Sequence, residues 1–301
     1  MRLTFIIFTL FLLPNTVFFA QTEHIDSILI EKKAAKKTHS LKILSWNMYL
    51  LPAKTFMRTA QKARAELIAQ QFNESDYDVL VLQEAFHKKA RQILAKALKE
   101  KYPYQIGPAN KGGFIKTNSG LWIVSKYPLE FVAQTKYEEC FGVDCFAKKG
   151  ALLVEVTKDG KTFQIADTHL QAEGGEKPDN IRISQVKQMT EKLIEAYEKE
   201  GITQLLCGDF NIDINEANYK KMMTIVKADN TPTSGALQFT SSAPDYGTPS
   251  SVIDYILVRN QSDDDMTFTK EIKLFSRAWQ WKGEKREHLS DHIAVEMLIE
   301  W

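Results

Sequence analysis

Apolar residues run along this chain in short stretches, and the stretches tend to break at an acid, an amide or a histidine. Strand-like runs, rich in Leu, Ile and Val, cover residues 41–45, 79–82, 121–124, 151–156, 163–167, 204–207, 252–258 and 293–299. Helical spacing is confined to Phe86, Ala90, Ile93, Leu94, Ala97 and Leu98, and to Val186, Met189, Leu193 and Tyr197. Helices scattered among many strands, without regular alternation, predict an α/β fold of two packed mixed sheets with helices outside. No repeat, low-complexity tract or linker interrupts residues 41–301, which therefore read as one domain.

The first twenty positions follow another pattern. Arg2 is their single charge, residues 3–13 are almost wholly apolar, and Val17-Phe18-Phe19-Ala20 precedes Gln21. The pattern predicts a signal peptide cleaved near Ala20, with an uncleaved anchor as the alternative, and a secreted or periplasmic destination. Residues 21–40, including the Lys-rich segment 31–37, read as a solvated linker. Export permits disulfides. Of three cysteines, Cys140 and Cys145 flank a short Gly- and Asp-containing loop and are candidates for a bridge, whereas Cys207 sits in an apolar run and reads as a buried thiol. No C-x-x-C pair is present to build a zinc site.

Composition narrows the function. With 39 basic and 38 acidic residues, and Arg2 lost with the leader, the mature chain balances at 38 of each. That argues against a broadly basic nucleic-acid binder. A mean hydropathy of −0.29 argues against a multi-span membrane protein.

The candidate chemistry lies where strands end. The run 41–46 leads into Asn47, 79–82 into Gln83-Glu84, 163–166 into Asp167-Thr168-His169, and 205–208 into Asp209-Phe210-Asn211; Asp254-Tyr255 follows Val252-Ile253, and Ser290-Asp291-His292 opens the last strand. A strand-terminal Asp or Asn is usually a turn or cap residue. Several together, on neighbouring strands, predict one rim of carboxylates, amides and two imidazoles. That donor mixture suits a hard divalent cation such as Mg²⁺ and phosphoryl chemistry.

These blocks, in this order, resemble the endonuclease/exonuclease/phosphatase superfamily, whose fold is a four-layer α/β sandwich. Within it, Trp46–Pro52, Asp78–Phe86, Gly120–Pro128, Cys140–Gly150 and Thr168–Ala172 are similar to segments of the bacterial neutral sphingomyelinases. The W-x-D-R block of the phosphatase branch has no counterpart here. The resemblance implies an Mg²⁺-dependent phosphodiesterase of phospholipase C type, releasing phosphocholine and ceramide from sphingomyelin. It assigns Glu84, Asn47 and Asp291 to the metal, and His292 to general-base catalysis, oriented by Asp254. Asp209 and Asn211, two apart and so on one side of an extended segment, are expected to position water or phosphate, or to contribute to a second metal position with His292. His169 is expected to donate to a phosphate oxygen.

A lipid substrate requires a membrane contact. Trp279 and Trp281, two apart and followed by the polar stretch 282–286, are the candidates on a short hairpin. The expected partner is a phospholipid surface carrying sphingomyelin, met by a monomer. The alternatives are an exported nuclease on the same fold and a phospholipase C for another head group.

Overall fold

The structure, a computed structural model, describes residues 39–53, 59–113, 116–263 and 265–301. The leader expected at 1–20, and all but the end of the linker expected at 21–40, lie outside them. In chain order the elements are β1 (Ser40–Leu50), α1 (Gln61–Glu74), β2 (Val79–Ala85), α2 (Lys88–Leu98), β3 (Tyr104–Ile106), β4 (Trp122–Ser125), β5 (Leu129–Lys136), a 3₁₀ turn (Gly142–Phe146), β6 (Gly150–Lys158), β7 (Lys161–His169), α3 (Glu176–Met189) running into a π turn (Thr190–Ile194), β8 (Thr203–Asp209), α4 (Ala217–Val226), β9 (Thr233–Ser234), β10 (Asp254–Arg259), β11 (Thr267–Lys273), β12 (Ser276–Trp281), β13 (Glu284–His288) and β14 (Ala294–Glu300).

Among the described residues, one sheet has the strand order β3-β4-β2-β1-β14-β11-β9 and a second the order β10-β8-β7-β6-β5. Both are mixed: β1 pairs parallel to β2 but antiparallel to β14, and β8 pairs parallel to β7 but antiparallel to β10. The side-chain period of two sorts each strand between faces. Leu41 and Ile43 of β1 meet Phe163, Ile165, Leu205 and Ile256 of the other sheet in a central core. Their neighbours Leu44, Trp46 and Met48 point outward against Ala65, Ile68 and Phe72 of α1 and Leu94 of α2. On the far side, Leu153, Ala166, Leu206 and Leu257 pack on Val186 and Met189 of α3 and Met222 of α4. The result is the four-layer sandwich expected from the sequence, with helices outside two packed sheets.

Every strand-like run of the sequence forms a strand. The elements it left silent are those whose faces are mixed. Edge strand β5 buries Ala133 alone, and α1 devotes buried positions to Gln61 and Arg64. Arg64 spans from helix to sheet, donating to the carbonyls of Met48, Tyr49, Thr59 and Leu289 and to the Thr59 hydroxyl. Among the described residues no helix is long and apolar enough to cross a membrane.

Candidate active site

The inward faces of the central strands change character along their length. On β1 the face runs Leu41, Ile43, Ser45, Asn47; on β7 it runs Phe163, Ile165, Asp167, His169; on β8, Leu205, Cys207, Asp209. Apolar residues fill the space between the sheets at one end, and the polar residues meet at the other. Strand pairing sets the lateral order: Asp209 lies opposite His169 on one side and Asp254 on the other. That pairing needs Gly208, because a Cβ there would fall 2.0 Å from the Thr168 carbonyl oxygen, at a φ of 139°.

A layer of buried polar groups separates core from site. Gln83 Nε2 donates to Asp167 Oδ1 at 2.7 Å across the two sheets. Asp167 is fully buried, and burial holds its carboxyl well above the usual range, against the opposing effect of the Gln83 hydrogen bond.

Beyond that layer, Asn47 Nδ2 donates to Asp209 Oδ2 at 3.0 Å, while Asn47 Oδ1 accepts the Tyr49 N–H at 3.1 Å. The Asn47 side chain also acts to lower the Glu84 carboxyl, so it bears on an acid of each sheet. Glu84 ends β2 at a φ of 54°, off the strand pleat. Its Oε2 is shielded from solvent and has no hydrogen-bond partner. Burial pushes the carboxyl up to about 7; the Asp291 carboxylate adds to this, while His292, Lys149 and Asn47 oppose it.

His292 stands against Asp254, with Nδ1 at 2.9 and 3.1 Å from the two carboxylate oxygens, and its Nε2 lies 3.7 Å from Asp209 Oδ2. Burial alone would lower the imidazole pKa; facing Asp254, Asp209 and Asp291 instead holds it well above the ordinary histidine value. Asp254 is itself pushed up to about 6 by burial and by Asp209, against the pull of His292. Thr240 fixes this acid by accepting the Asp254 N–H at 3.1 Å. Ser290 donates to the Asn47 carbonyl at 2.6 Å and accepts the His292 N–H at 3.2 Å, tying β1 to the start of β14.

The other imidazole is in a different state. His169 Nε2 is 3.0 Å from Lys149 Nζ, and its Nδ1 is buried without a partner. Burial, then Lys149 and His292, hold this histidine well below its ordinary value, hence neutral. Lys149 in turn sits 2.7 Å from Asp144 Oδ2. Lys149 and Asp144 are the site members that sequence reasoning missed. The one signal was their place in the Cys140–Gly150 segment; a lysine buried beside a histidine has no local signature.

The structure therefore gathers Asn47, Glu84, His169, Asp209, Asp254, Asp291 and His292 at one end of the sandwich. Asn211 lies beside this group, though not through the extended geometry expected: at a φ of 50° its backbone is left-handed, and its amide donates to the Leu170 carbonyl at 3.3 Å, the carbonyl that Lys149 Nζ also bonds at 2.8 Å. The membrane candidates need correction. Trp279 is only 9% exposed, packs in the core over α1 and α2, and donates to the His288 carbonyl at 3.0 Å. Trp281 is half-buried against the same core. The expected hairpin exists, as β12 and β13 joined at Lys282-Gly283, but it turns its tryptophans inward. Cys140 and Cys145 are bonded, with an S–S distance of 2.06 Å, and Cys207 is a buried free thiol.

Two groups of ligands fit a divalent cation. Glu84 and Asp291 pair two acids, with one buried oxygen left unbonded, which is the deficit a cation would fill. Asp209, Asp254 and His292 offer donor atoms within 4.8 Å of one another. The hard oxygen donors favour an ion of the Mg²⁺ class over a soft metal.

Residues 44–292 match the model of the Endonuclease/Exonuclease/phosphatase family. The chain belongs to that family. Among its curated relatives, a sphingomyelinase C of Leptospira interrogans is 30% identical over 292 residues, covering 85% of this chain and 51% of its own. A sphingomyelinase C of Bacillus cereus is 26% identical over 300 residues, covering 87% of this chain and 90% of its own. The chain thus spans about half the length of the Leptospira relative. The beta toxin of Staphylococcus aureus, in a mutant with bound magnesium ions, shares the fold: TM-score 0.76 at 23% identity, over 86% of this chain and 99% of that one.

Proposed function

We propose that this family member is a metal-dependent phosphodiesterase that hydrolyses sphingomyelin to ceramide and phosphocholine. The observation that carries the reading is the division of labour between the two imidazoles: His292 is held by a carboxylate, with Nδ1 at 2.9 Å from Asp254, and His169 by a cation, with Nε2 at 3.0 Å from Lys149 Nζ. Such a pair places a proton-handling group and a phosphate-facing group across one rim. The family match and the sphingomyelinase C relatives supply the substrate class.

Glu84 and Asp291 would hold the cation, with Asn47 orienting Glu84. Bound there, an ion of the Mg²⁺ class would supply positive charge to a phosphate oxygen and would offset the carboxylates that face His292, which favours the neutral imidazole. Asp254 holds His292 through Nδ1, so in the neutral imidazole Nε2 is the free nitrogen that takes the proton of the attacking water. Asp209, fixed by Asn47 and by the Asn211 N–H at 3.0 Å, accepts from that water or orients His292. Lys149 and His169 supply positive charge and a donor to the phosphate. The disulfide accords with export to an oxidising compartment.

The test is turnover of sphingomyelin vesicles by the purified protein with Mg²⁺, then with excess EDTA, beside a panel of other phospholipids and supercoiled plasmid. Sphingomyelin cleavage abolished by EDTA and restored by Mg²⁺ is the expected outcome. Full activity in EDTA removes the metal, and nicking of plasmid without lipid cleavage moves the protein to the nuclease branch.

A further inference from the structure

Burial of Trp279 leaves the question of where a lipid surface is met. Among the described residues the two most exposed large apolar side chains are Val143, at 71%, and Phe146, at 63%. Both lie on the 3₁₀ turn Gly142–Phe146, Val143 inside the loop closed by Cys140–Cys145 and Phe146 directly after it. The turn is held at its base. Gln171 bonds the Phe141 N–H at 2.8 Å and carbonyl at 3.1 Å, Thr117 donates its N–H to the Phe146 carbonyl at 2.8 Å, and Asp144 Oδ2 accepts the Ala172 N–H at 2.7 Å. A turn so fixed displays its apolar groups to solvent, an arrangement that suits insertion at a lipid–water boundary.

Charge around the turn fits a phosphate-bearing surface. Lys111 and Lys116 are exposed, Lys148 reaches the Lys111 carbonyl at 2.7 Å, and Lys177 sits 5.0 Å over the Phe141 ring. The acids nearby are partly engaged: Glu138 pairs with Lys192 and Glu139 accepts from Ser184, while Glu173 lies against Gly142. The turn is also continuous with the site, because Asp144 holds Lys149, the neighbour of His169.

We propose that the disulfide-clipped turn Gly142–Phe146, through Val143 and Phe146 within its collar of lysines, is the element that seats this protein on a phospholipid bilayer. The inference rests on the lipid-hydrolase reading for its purpose, but the binding it describes is measured separately. Burying both side chains at the interface is expected to be worth about tenfold or more in partition.

The test is co-sedimentation with phosphatidylcholine–sphingomyelin vesicles. Val143→Ser/Phe146→Ser, with its circular dichroism and disulfide intact, is expected to lower the vesicle-bound fraction about tenfold while turnover of a water-soluble phosphocholine ester is unchanged. Phe146→Trp is expected to gain a blue-shifted emission on adding vesicles. Wild-type partition in the double variant, or no emission shift in Phe146→Trp, overturns the proposal. So does loss of vesicle binding in Trp281→Ala with the double variant unaffected, and so does an equal loss of soluble turnover, which would mean that the turn acts through Asp144. Wild-type protein that binds vesicles through this turn and cleaves no phospholipid leaves the docking surface standing and removes the proposed reaction.

Discussion

Along β7 the inward face reads Phe163, Ile165, Asp167, His169, and along β8 it reads Leu205, Cys207, Asp209. The first members of each face fill the central core; the last members form the candidate active site. The backbone is the same continuous strand in both regions, and the ladder hydrogen bonds that hold one hold the other. Only the side chains differ, and the difference teaches how the site is rigid without being stable in itself. At the apolar end, burial is favourable. At the polar end, burial raises the carboxyl pKa values of Glu84, Asp254 and Asp291, a cost borne by the rest of the fold.

The contrast can be broken most forcefully at the polar end. His292→Ala and Glu84→Ala are each expected to lower kcat about 10²–10⁴-fold, with the thermal midpoint unchanged or raised. A loss of only a few-fold in steady-state turnover would remove these residues from the chemistry. The mirror experiment is Phe163→Ala at the apolar end. It is expected to cost about 3–5 kcal/mol in urea unfolding while kcat per folded molecule stays as it was. If turnover falls instead, the two ends are not separable.

A smaller effect tests the charge balance. Glu84 takes up a proton as pH falls through about 7, and a protonated carboxyl is a poor cation ligand. Mg²⁺ affinity, read by calorimetry, is therefore expected to fall by about tenfold per unit below pH 7 for this one proton. A flat profile between pH 6 and 8 would take Glu84 out of the ligand set. The smallest effect belongs to the layer between the ends. Because burial pushes the Asp167 carboxyl well above its usual range, toward its neutral form, Asp167→Asn is expected to change stability by less than about 1 kcal/mol at pH 7. A much larger loss in a chemical melt would show that the acid is ionised beside Gln83.

The regions also differ in how far they were legible. The strands that build the site announce themselves, because each carries an unbroken apolar run that stops at a polar group. Strand β5 and helix α1 do not, since their buried positions are few or filled by residues such as Gln61 and Arg64, whose partners are distant in sequence. Lys149 was invisible as a site residue for a related reason: what makes it one is the position of His169, twenty residues on, across the β6–β7 pair. Trp279 and Trp281 misled because aromatic residues on a short polar hairpin look the same whether the hairpin stands free or folds back; contact with the core over α1 and α2 decided it.

The sequence by itself determined the strands, the face each one presents and the polar residue at its end, because a period of two is a local property of the chain. It also carried the family, through blocks that keep their order. Which strands pair, and therefore that Asp209 lies between His169 and Asp254, was decided only in the tertiary structure. The same holds for the backbone at Asn211, left-handed rather than extended, and for the apolar groups that remain exposed, Val143 and Phe146 rather than Trp279. The reason is physical. Burial, proximity and pKa depend on groups brought together from distant parts of the chain, and no local pattern encodes how close they come.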